Sequence, residues 1–292
     1  MIIPTENIPI YWSSRRRNFF RRCKFCYFLY CYGSWGGNDP DAKPETRELH
    51  RLKRLRTAGE YLDDLCARIL REHFYHQYEK ELSAVGLSRL RYELANMRDH
   101  GFDGDHNIPM LREFAETPAA FGRLAEWLKS ELVRRLNVVA GGFYGGLCKL
   151  PYTDRLELNY PLQVSIGDLT CYTPAVLVFR REGMLCFADL SGSSESALFH
   201  RYCAMERFGL PPEGVRSYVP DFNSGIFRVS DNAIHVSGLL NGIRQDIAEM
   251  TALIHEDGSV NSDDFPSACG KHCKECLFCP YCRYKQVFNQ QF

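Results

Sequence analysis

Apolar residues recur at helical intervals along the first half of the chain. Leu62, Leu65, Cys66, Ile69, Leu70 and His73 fall at i, i+3, i+4, i+7, i+8 and i+11 positions, which places them on one buried helix face. Further helices are predicted up to about Asn137. One starts at Thr117-Pro118, where proline costs no helical hydrogen bond, and carries the stripe Phe121, Leu124, Ala125, Leu128 and Leu132. From Leu156 the pattern changes to strand alternation. Leu162, Val164 and Ile166 alternate, and Gly167-Asp168 marks a turn. Ala175 to Phe179 and Met184 to Leu190 are apolar strands around Arg180-Arg181-Glu182-Gly183, which predicts a hairpin with its turn centred on Arg181 and Glu182. Both strands are apolar on both faces, so helices are expected on each side of their sheet. Ser193 to Arg207 reads as a helix with Leu198, Tyr202 and Met205 inward. Val215 to Pro220 and Gly225 to Val229 read as strands, and a helix from Leu239 to His255 places Leu240, Ile243, Ile247, Met250 and Ile254 on one face.

The predicted fold class is α/β. An N-terminal basic segment over 1–44 precedes a helical region over 45–155, an α/β core over 156–260 and a cysteine-rich tail over 261–292, all within one functional unit.

Lys plus Arg equals Asp plus Glu at 36 each, so no global field draws the chain to nucleic acid or membrane. Any such attraction is local. Arg15, Arg16, Arg17, Arg21, Arg22 and Lys24 interleave with Phe19 and Phe20 and form the strongest candidate for contact with DNA phosphates, against the alternative of a solvated basic face. Arg51, Lys53, Arg54 and Arg56 form a second basic run. The start MIIPTENIPIYW has no leader pattern, and no apolar run approaches a membrane span, so the expected location is the cytoplasm.

There are 13 cysteines. In a reducing compartment clustered thiols more often hold metal than form disulfides. Cys269, Cys273, Cys276, Cys279 and Cys282 crowd the C-terminal tail, and Cys23, Cys26 and Cys31 follow the first basic run. A two-residue gap lets the backbone turn around a metal and aim both sulfurs inward. Iron-sulfur and zinc both suit such thiols, but a zinc ribbon does not need a distant partner near the N-terminus. Cys273, Cys276 and Cys279 before Pro280 also match a ferredoxin-like spacing, which would suit electron transfer; no flavin or nicotinamide fingerprint accompanies it. The scattered Cys66, Cys148, Cys171, Cys186 and Cys203 read as small buried apolar residues.

In Cys23-Lys-Phe-Cys26-Tyr-Phe-Leu-Tyr30-Cys31-Tyr32-Gly33, together with Cys273, Cys276 and Cys282, the chain resembles PD-(D/E)XK nucleases of the RecB type that carry a 4Fe-4S cluster, among them the CRISPR-adaptation and AddB-type nucleases. The resemblance implies a restriction-endonuclease-like mixed sheet flanked by helices. It also implies a cluster held by Cys23, Cys273, Cys276 and Cys282, with Cys269, Cys279 and Cys26 as alternates. Such nucleases hold Mg2+ or Mn2+ between two acids, with a lysine nearby. The motif carrying the second acid falls on Asp189-Leu190-Ser191-Gly192, where Asp189 remains and serine replaces lysine. In the expected hairpin the residue opposite Asp189 is Pro174 or Ala175, and the family's proline and first acid fall on Pro174-Ala175, so the acid is alanine. The metal-binding histidine falls on Leu62, and the glutamine on Leu198, with Tyr202 retained.

Asp168 is a substitute acid, but it lies about 20 Å back along an extended strand; Glu157 is another. His200, Arg201 and Arg180 are candidates for the missing charge. The resemblance thus implies a degenerate nuclease that retains its cluster and works by binding DNA or the protein partners of a DNA-processing complex, in repair, CRISPR adaptation or defence against phage. An active metal-dependent nuclease using Asp189 is the alternative.

Overall fold

A computed structural model describes residues 1–5, 8, 11–76, 81–103, 108–157, 163–166, 169–172, 176–190, 194–229 and 236–282. The N-terminal elements are β1 (Ile2–Pro4), β2 (Tyr11–Trp12), α1 (Ser14–Arg22), α2 (Lys24–Phe28), α3 (Pro44–Arg54) and β3 (Leu55–Arg56). A helical stretch follows: α4 (Ala58–His76), α5 (Leu82–His100), the short β4 (Met110–Leu111) and α6 (Arg112–Glu116), α7 (Phe121–Gly141) and α8 (Phe143–Leu147). The remainder is β5 (Gln163–Ile166), β6 (Leu169–Tyr172), β7 (Val176–Arg181), β8 (Met184–Asp189), α9 (Ser194–Phe208), β9 (Val215–Pro220), β10 (Phe227–Val229), α10 (Val236–Thr251) and β11 (Ser259–Asn261). The molecule is mixed α/β. Among the described residues no helix is long and apolar enough to cross a membrane.

The chain divides into two compact units, and the division differs from the four consecutive segments expected. The first unit combines Met1–Leu55, Ser165–Cys171 and Leu240–Phe292; the second combines Arg56–Val164 and Tyr172–Leu239. The two ends of the chain are therefore parts of one body.

In the first unit β1 pairs antiparallel with β11, Ile3 opposite Val260. The Thr5 amide extends the pairing to the Gly258 carbonyl at 2.9 Å, and Ser262 donates to the Met1 carbonyl at 2.8 Å. Phe265 packs among Tyr27, Phe28 and Tyr32, with ring centroids 5.1 to 6.4 Å away. This aromatic burial joins α2 to the C-terminal segment through dispersion and the hydrophobic effect.

The second unit holds three long helices against one another. Leu62, Leu65, Cys66, Ile69 and Leu70 of α4 are all buried, as the spacing predicts, while His73 is half-buried. On α7 the deep stripe is Ala125, Leu128, Leu132, Leu136 and Val139; Phe121 and Leu124, in its first turn, are half-buried. The α5 and α7 backbones approach closely at Gly86, where a Cβ would stand 2.4 Å from Leu136 Cδ1. Glu93 on α5 is wholly enclosed and accepts hydrogen bonds from Tyr61 Oη at 3.0 Å, Arg89 Nε at 2.9 Å and both terminal nitrogens of Arg68.

The same unit carries a four-stranded mixed sheet in the order β10-β9-β8-β7. β7 and β8 form the predicted hairpin, α9 is the crossover that lets β9 run parallel to β8, and β10 returns antiparallel. Leu177, Val178 and Phe179 of β7 and Leu185 to Ala188 of β8 are buried, so both faces are covered, as their apolar composition predicts. The turn is one residue later than expected. Arg181 pairs with Met184, leaving Glu182 (φ 55) and Gly183 (φ 76) as a two-residue loop. A type I′ turn needs positive φ at both central positions, and glycine supplies the second without strain.

Two helices also differ from expectation. α9 buries Ser196, Ala197, Phe199, His200, Arg201, Cys203 and Ala204, whereas Tyr202 and Met205 are half-buried, because its inward face carries polar groups that apolar periodicity does not register. α10 ends at Thr251 rather than His255, so Ile254 lies beyond it. Ile243 and Met250 on its buried face flank the carboxylate of Asp246.

Candidate metal centre and enclosed acid site

In the first unit the thiols gather at a corner between two helices. Ser13 caps α1 by accepting the Arg16 amide at 3.2 Å, and the helix stops at Cys23, whose backbone is extended at φ −165. Cys23 then caps α2, its Sγ accepting the Cys26 amide at 3.5 Å. The same sulfur accepts the Ala268 amide at 3.5 Å, and Phe25 N donates to the Pro266 carbonyl at 3.2 Å, so the C-terminal tail lies along α2. The tail proceeds in three-residue turns. The amides of Cys276, Cys279 and Cys282 donate to the carbonyls of Cys273, Cys276 and Cys279 at 3.2, 3.2 and 3.0 Å. Turns of this period return successive cysteines to one side, as the two-residue gaps predict.

Cys26 Sγ stands 3.9 Å from Cys276 Sγ. Cys23 is near enough to act electrostatically on both Cys26 and Cys269, and Cys273 and Cys282 act on Cys269 in the same way. Six of the expected thiols thus share one neighbourhood. A hydrogen bond from Cys26 draws the Cys276 thiol down to about 6, helped by the amides of Phe278 and Cys279 and the charge of Arg22, while Cys26 itself is pushed up. Cys31 is apart from this group. It is enclosed beside Arg16, Tyr27 and Lys53, and burial raises its thiol. Among the described residues no three His, Cys, Asp or Glu side chains meet at the spacing of a single metal ion.

The basic run lies on α1, with Lys24 opening α2, and is largely engaged internally. Arg17 pairs with buried Asp246 at 2.7 Å, Arg21 pairs with the same carboxylate, and Lys24 reaches Glu249 at 3.3 Å. Arg16 is buried over the Tyr11 ring at 3.5 Å, Arg22 donates to the His272 carbonyl, and Arg15 lies 5.5 Å over Tyr30. Phe19 stacks on Tyr30 at 4.3 Å. Arg15, Arg21 and Arg22 remain exposed. The aromatic and basic interleaving that suggests DNA contact therefore also serves to dock α1 on α10. In the second run Arg51 pairs with Glu48 and Lys53 lies 4.7 Å over Tyr30.

In the second unit Asp189 ends β8 and is wholly enclosed. Its Oδ2 is 3.0 Å from Nδ1 of His200, also enclosed, on α9. The residue across the hairpin is Val176, not Pro174 or Ala175, because the later turn shifts the register. Leu62 is fully buried, Leu198 is 9% exposed and Tyr202 is half-buried. Of the charge substitutes, Arg201 is buried and donates to the Pro212 carbonyl at 2.6 Å, Arg180 is exposed on β7, and Glu157 is exposed. Asp168, Ala175 and Ser191 lie outside the described residues. A divalent ion needs several oxygen ligands and an open position for water. An enclosed carboxylate engaged by histidine does not fit one. The pairing with His200 eluded sequence reading; a histidine 11 residues after the acid, within the crossover helix, is its only sequence signal.

Of the scattered cysteines, Cys66, Cys171, Cys186 and Cys203 are buried as expected. Burial raises Cys66 and Cys171 to about 12 and Cys186 to about 11. Cys148 is half-buried, 3.9 Å from His73 Nδ1. No protein-family model and no curated protein matches the chain.

Proposed function

We propose that this protein is a catalytically silent relative of the RecB-type PD-(D/E)XK nucleases, holding a 4Fe-4S cluster in its first unit and acting by binding DNA or the partners of a DNA-processing complex. The observation that carries the loss of catalysis is the enclosure of Asp189 against His200 opposite Val176. The acid retained at the end of the hairpin serves packing of α9 on the sheet, and its register partner across the hairpin is Val176. A hairpin whose second strand ends in that acid, followed by a helix bearing Tyr202, supports the family reading.

The thiols supply the second support. A tetrahedral zinc ion with bonds near 2.3 Å brings its sulfurs to about 3.8 Å from one another. Six thiols share one neighbourhood, more than one tetrahedral ion needs, which supports the cluster reading, while the 3.9 Å between Cys26 and Cys276 matches single-ion spacing and keeps zinc as the second reading. When bound, the cluster would add covalent links between α2 and the tail, segments already joined by the aromatic packing of Phe265. Arg22, bound to the His272 carbonyl, places a positive charge beside the thiolates. Exposed Arg15, Arg21 and Arg22 are the side chains of the basic helix best placed to meet DNA phosphate.

The test uses anaerobically purified protein. Iron and acid-labile sulfide near four each per chain, with no cleavage of labelled single- or double-stranded DNA in Mg2+ or Mn2+, is the expected result. Cleavage lost in Asp189→Ala would make the protein an enzyme, and zinc alone at one per chain would replace the cluster.

A further inference from the structure

We infer that Cys148 is a covalent-modification site of the second unit, a thiol with His73 as its proton acceptor, opening on a cavity that takes a small α,β-unsaturated carbonyl compound. The site stands apart from the thiols proposed to hold the cluster and depends on neither the cluster nor the nuclease reading.

Cys66, Cys171, Cys186 and Cys203 are buried, whereas Cys148 is half-buried and lines a cavity of about 380 Å³ together with His73, Tyr144, Ser83 and Asn137. Its sulfur lies 3.9 Å from His73 Nδ1, within reach for a thiol to pass its proton to an imidazole as a reactant approaches the sulfur. Burial and the charge of Arg155 hold His73 below its usual value, so at neutral pH the ring is uncharged and able to accept that proton. Tyr144 Oη is 3.0 Å from the same nitrogen and 2.9 Å from the Leu70 carbonyl. Its hydroxyl can donate to the neutral imidazole and turn to Leu70 once Nδ1 carries the proton. Burial raises the Cys148 thiol, which keeps it protonated at rest, while a hydrogen bond from Tyr144 and the charge of Arg155 favour the thiolate formed during reaction. Arg155 is fixed there by donating to the Cys148 carbonyl at 2.6 Å and the Phe74 carbonyl at 2.7 Å.

These groups suit conjugate addition. The thiol proton passes to His73, and the sulfur bonds to the β-carbon of the unsaturated carbonyl compound. The π pair of its carbon-carbon double bond moves toward the carbonyl as an enolate. His73 then returns the proton to the α-carbon, so a neutral thioether forms and no oxidant or reductant is consumed. Ser83 and Asn137 provide hydroxyl and amide donors in the cavity for the carbonyl oxygen, on which the negative charge develops.

The experiment treats the full chain with acrylamide, a small unsaturated amide, and follows adduct formation at Cys148 by peptide mass spectrometry, with Cys186 in the same digest as the reference. In the wild type Cys148 is expected to react at least about tenfold faster than Cys186. His73→Gln keeps a polar side chain beside Tyr144 but has no basic nitrogen, and it is expected to slow Cys148 by at least about tenfold while leaving Cys186 as before. Far-UV circular dichroism and urea unfolding establish that the variant is folded. Should His73→Gln fail to fold, Tyr144→Phe, which keeps the ring and removes only the hydroxyl, is expected to slow Cys148 as well. An unchanged Cys148 rate in the folded variant overturns the role given to His73 and its hydroxyl partner. A wild type in which Cys148 reacts no faster than Cys186 overturns the site.

Discussion

His200 Nδ1 and Asp189 Oδ2 lie 3.0 Å apart, and neither side chain has any exposed surface. A carboxylate at a strand end is ordinarily solvated or bound to a cation. Here a residue on the following crossover helix takes that place, so the pair fastens α9 to β8 in the interior of the second unit.

Breaking this pair therefore costs stability. Asp189→Ala strands a buried imidazole and is expected to destabilise the protein by about 1–3 kcal/mol. Urea unfolding of Asp189→Ala, His200→Leu and the double variant checks it. The two single losses should exceed the double loss by at least about 0.5 kcal/mol, and strict additivity would mean that the two groups do not interact.

The buried Glu93 cluster sets a pH dependence. Burial opposes its charge, but hydrogen bonds and charge from Arg68, and hydrogen bonds from Arg89 and Tyr61, overcome that and hold its carboxyl below the usual range. A group depressed in the folded state contributes stability above its unfolded value, near about 4.3, and the contribution is lost as pH falls through the folded value. Stability should thus fall as acid is added below about pH 5. Glu93→Gln should lie about 3–5 kcal/mol lower at neutral pH and show a shallower acid limb. Equal slopes in thermal melts from pH 7 to pH 3 would count against it.

Asp246 receives cations from the basic helix and Glu249 from Lys24 at the start of α2, but only Asp246 is enclosed. Asp246→Asn removes the charge of the enclosed carboxylate that pairs with Arg17 and Arg21 and is expected to cost about 3 kcal/mol or more. Glu249→Gln, at a pair whose side chains are each 33% exposed, should cost under about 1 kcal/mol. Chemical denaturation of both variants decides whether α1 is chiefly a docking element.

At the hairpin, Glu182 holds a positive φ of 55 beside Gly183. Asparagine tolerates that region better than glutamate, so Glu182→Asn should stabilise the protein by up to about 1 kcal/mol. The exposed Arg181–Glu182 pair that it removes is worth little. A melting temperature unchanged or lowered would show that the loop adopts another turn.

Metal removal should be visible at two backbone positions. The amides of Cys26 and Ala268 donate to Cys23 Sγ. A metal-bound thiolate is a stronger acceptor than a neutral thiol, so anaerobic chelation should speed hydrogen exchange at both amides while the Glu93 core exchanges as before. Unchanged exchange at Cys26 and Ala268 would remove Cys23 from the centre.

Much of this molecule follows from local pattern. The α4 stripe, the β7–β8 hairpin and the turns of the cysteine tail are legible because a period of 3.6 or 2, or a repeated two-residue gap, is a property of neighbouring residues. The turn's exact register was missed by one position, since only backbone φ at Glu182 distinguishes the alternatives, and that small slip moved the partner of Asp189 to Val176. What the sequence could not decide was pairing across long intervals. The 250-residue separation of Cys26 and Cys276, the neutralisation of Arg17 by Asp246 and the burial of His200 against Asp189 each depend on where separate elements pack. A thiol, a cation or a histidine has the same letter whether it faces water, a metal or a buried carboxylate; only its tertiary surroundings fix which.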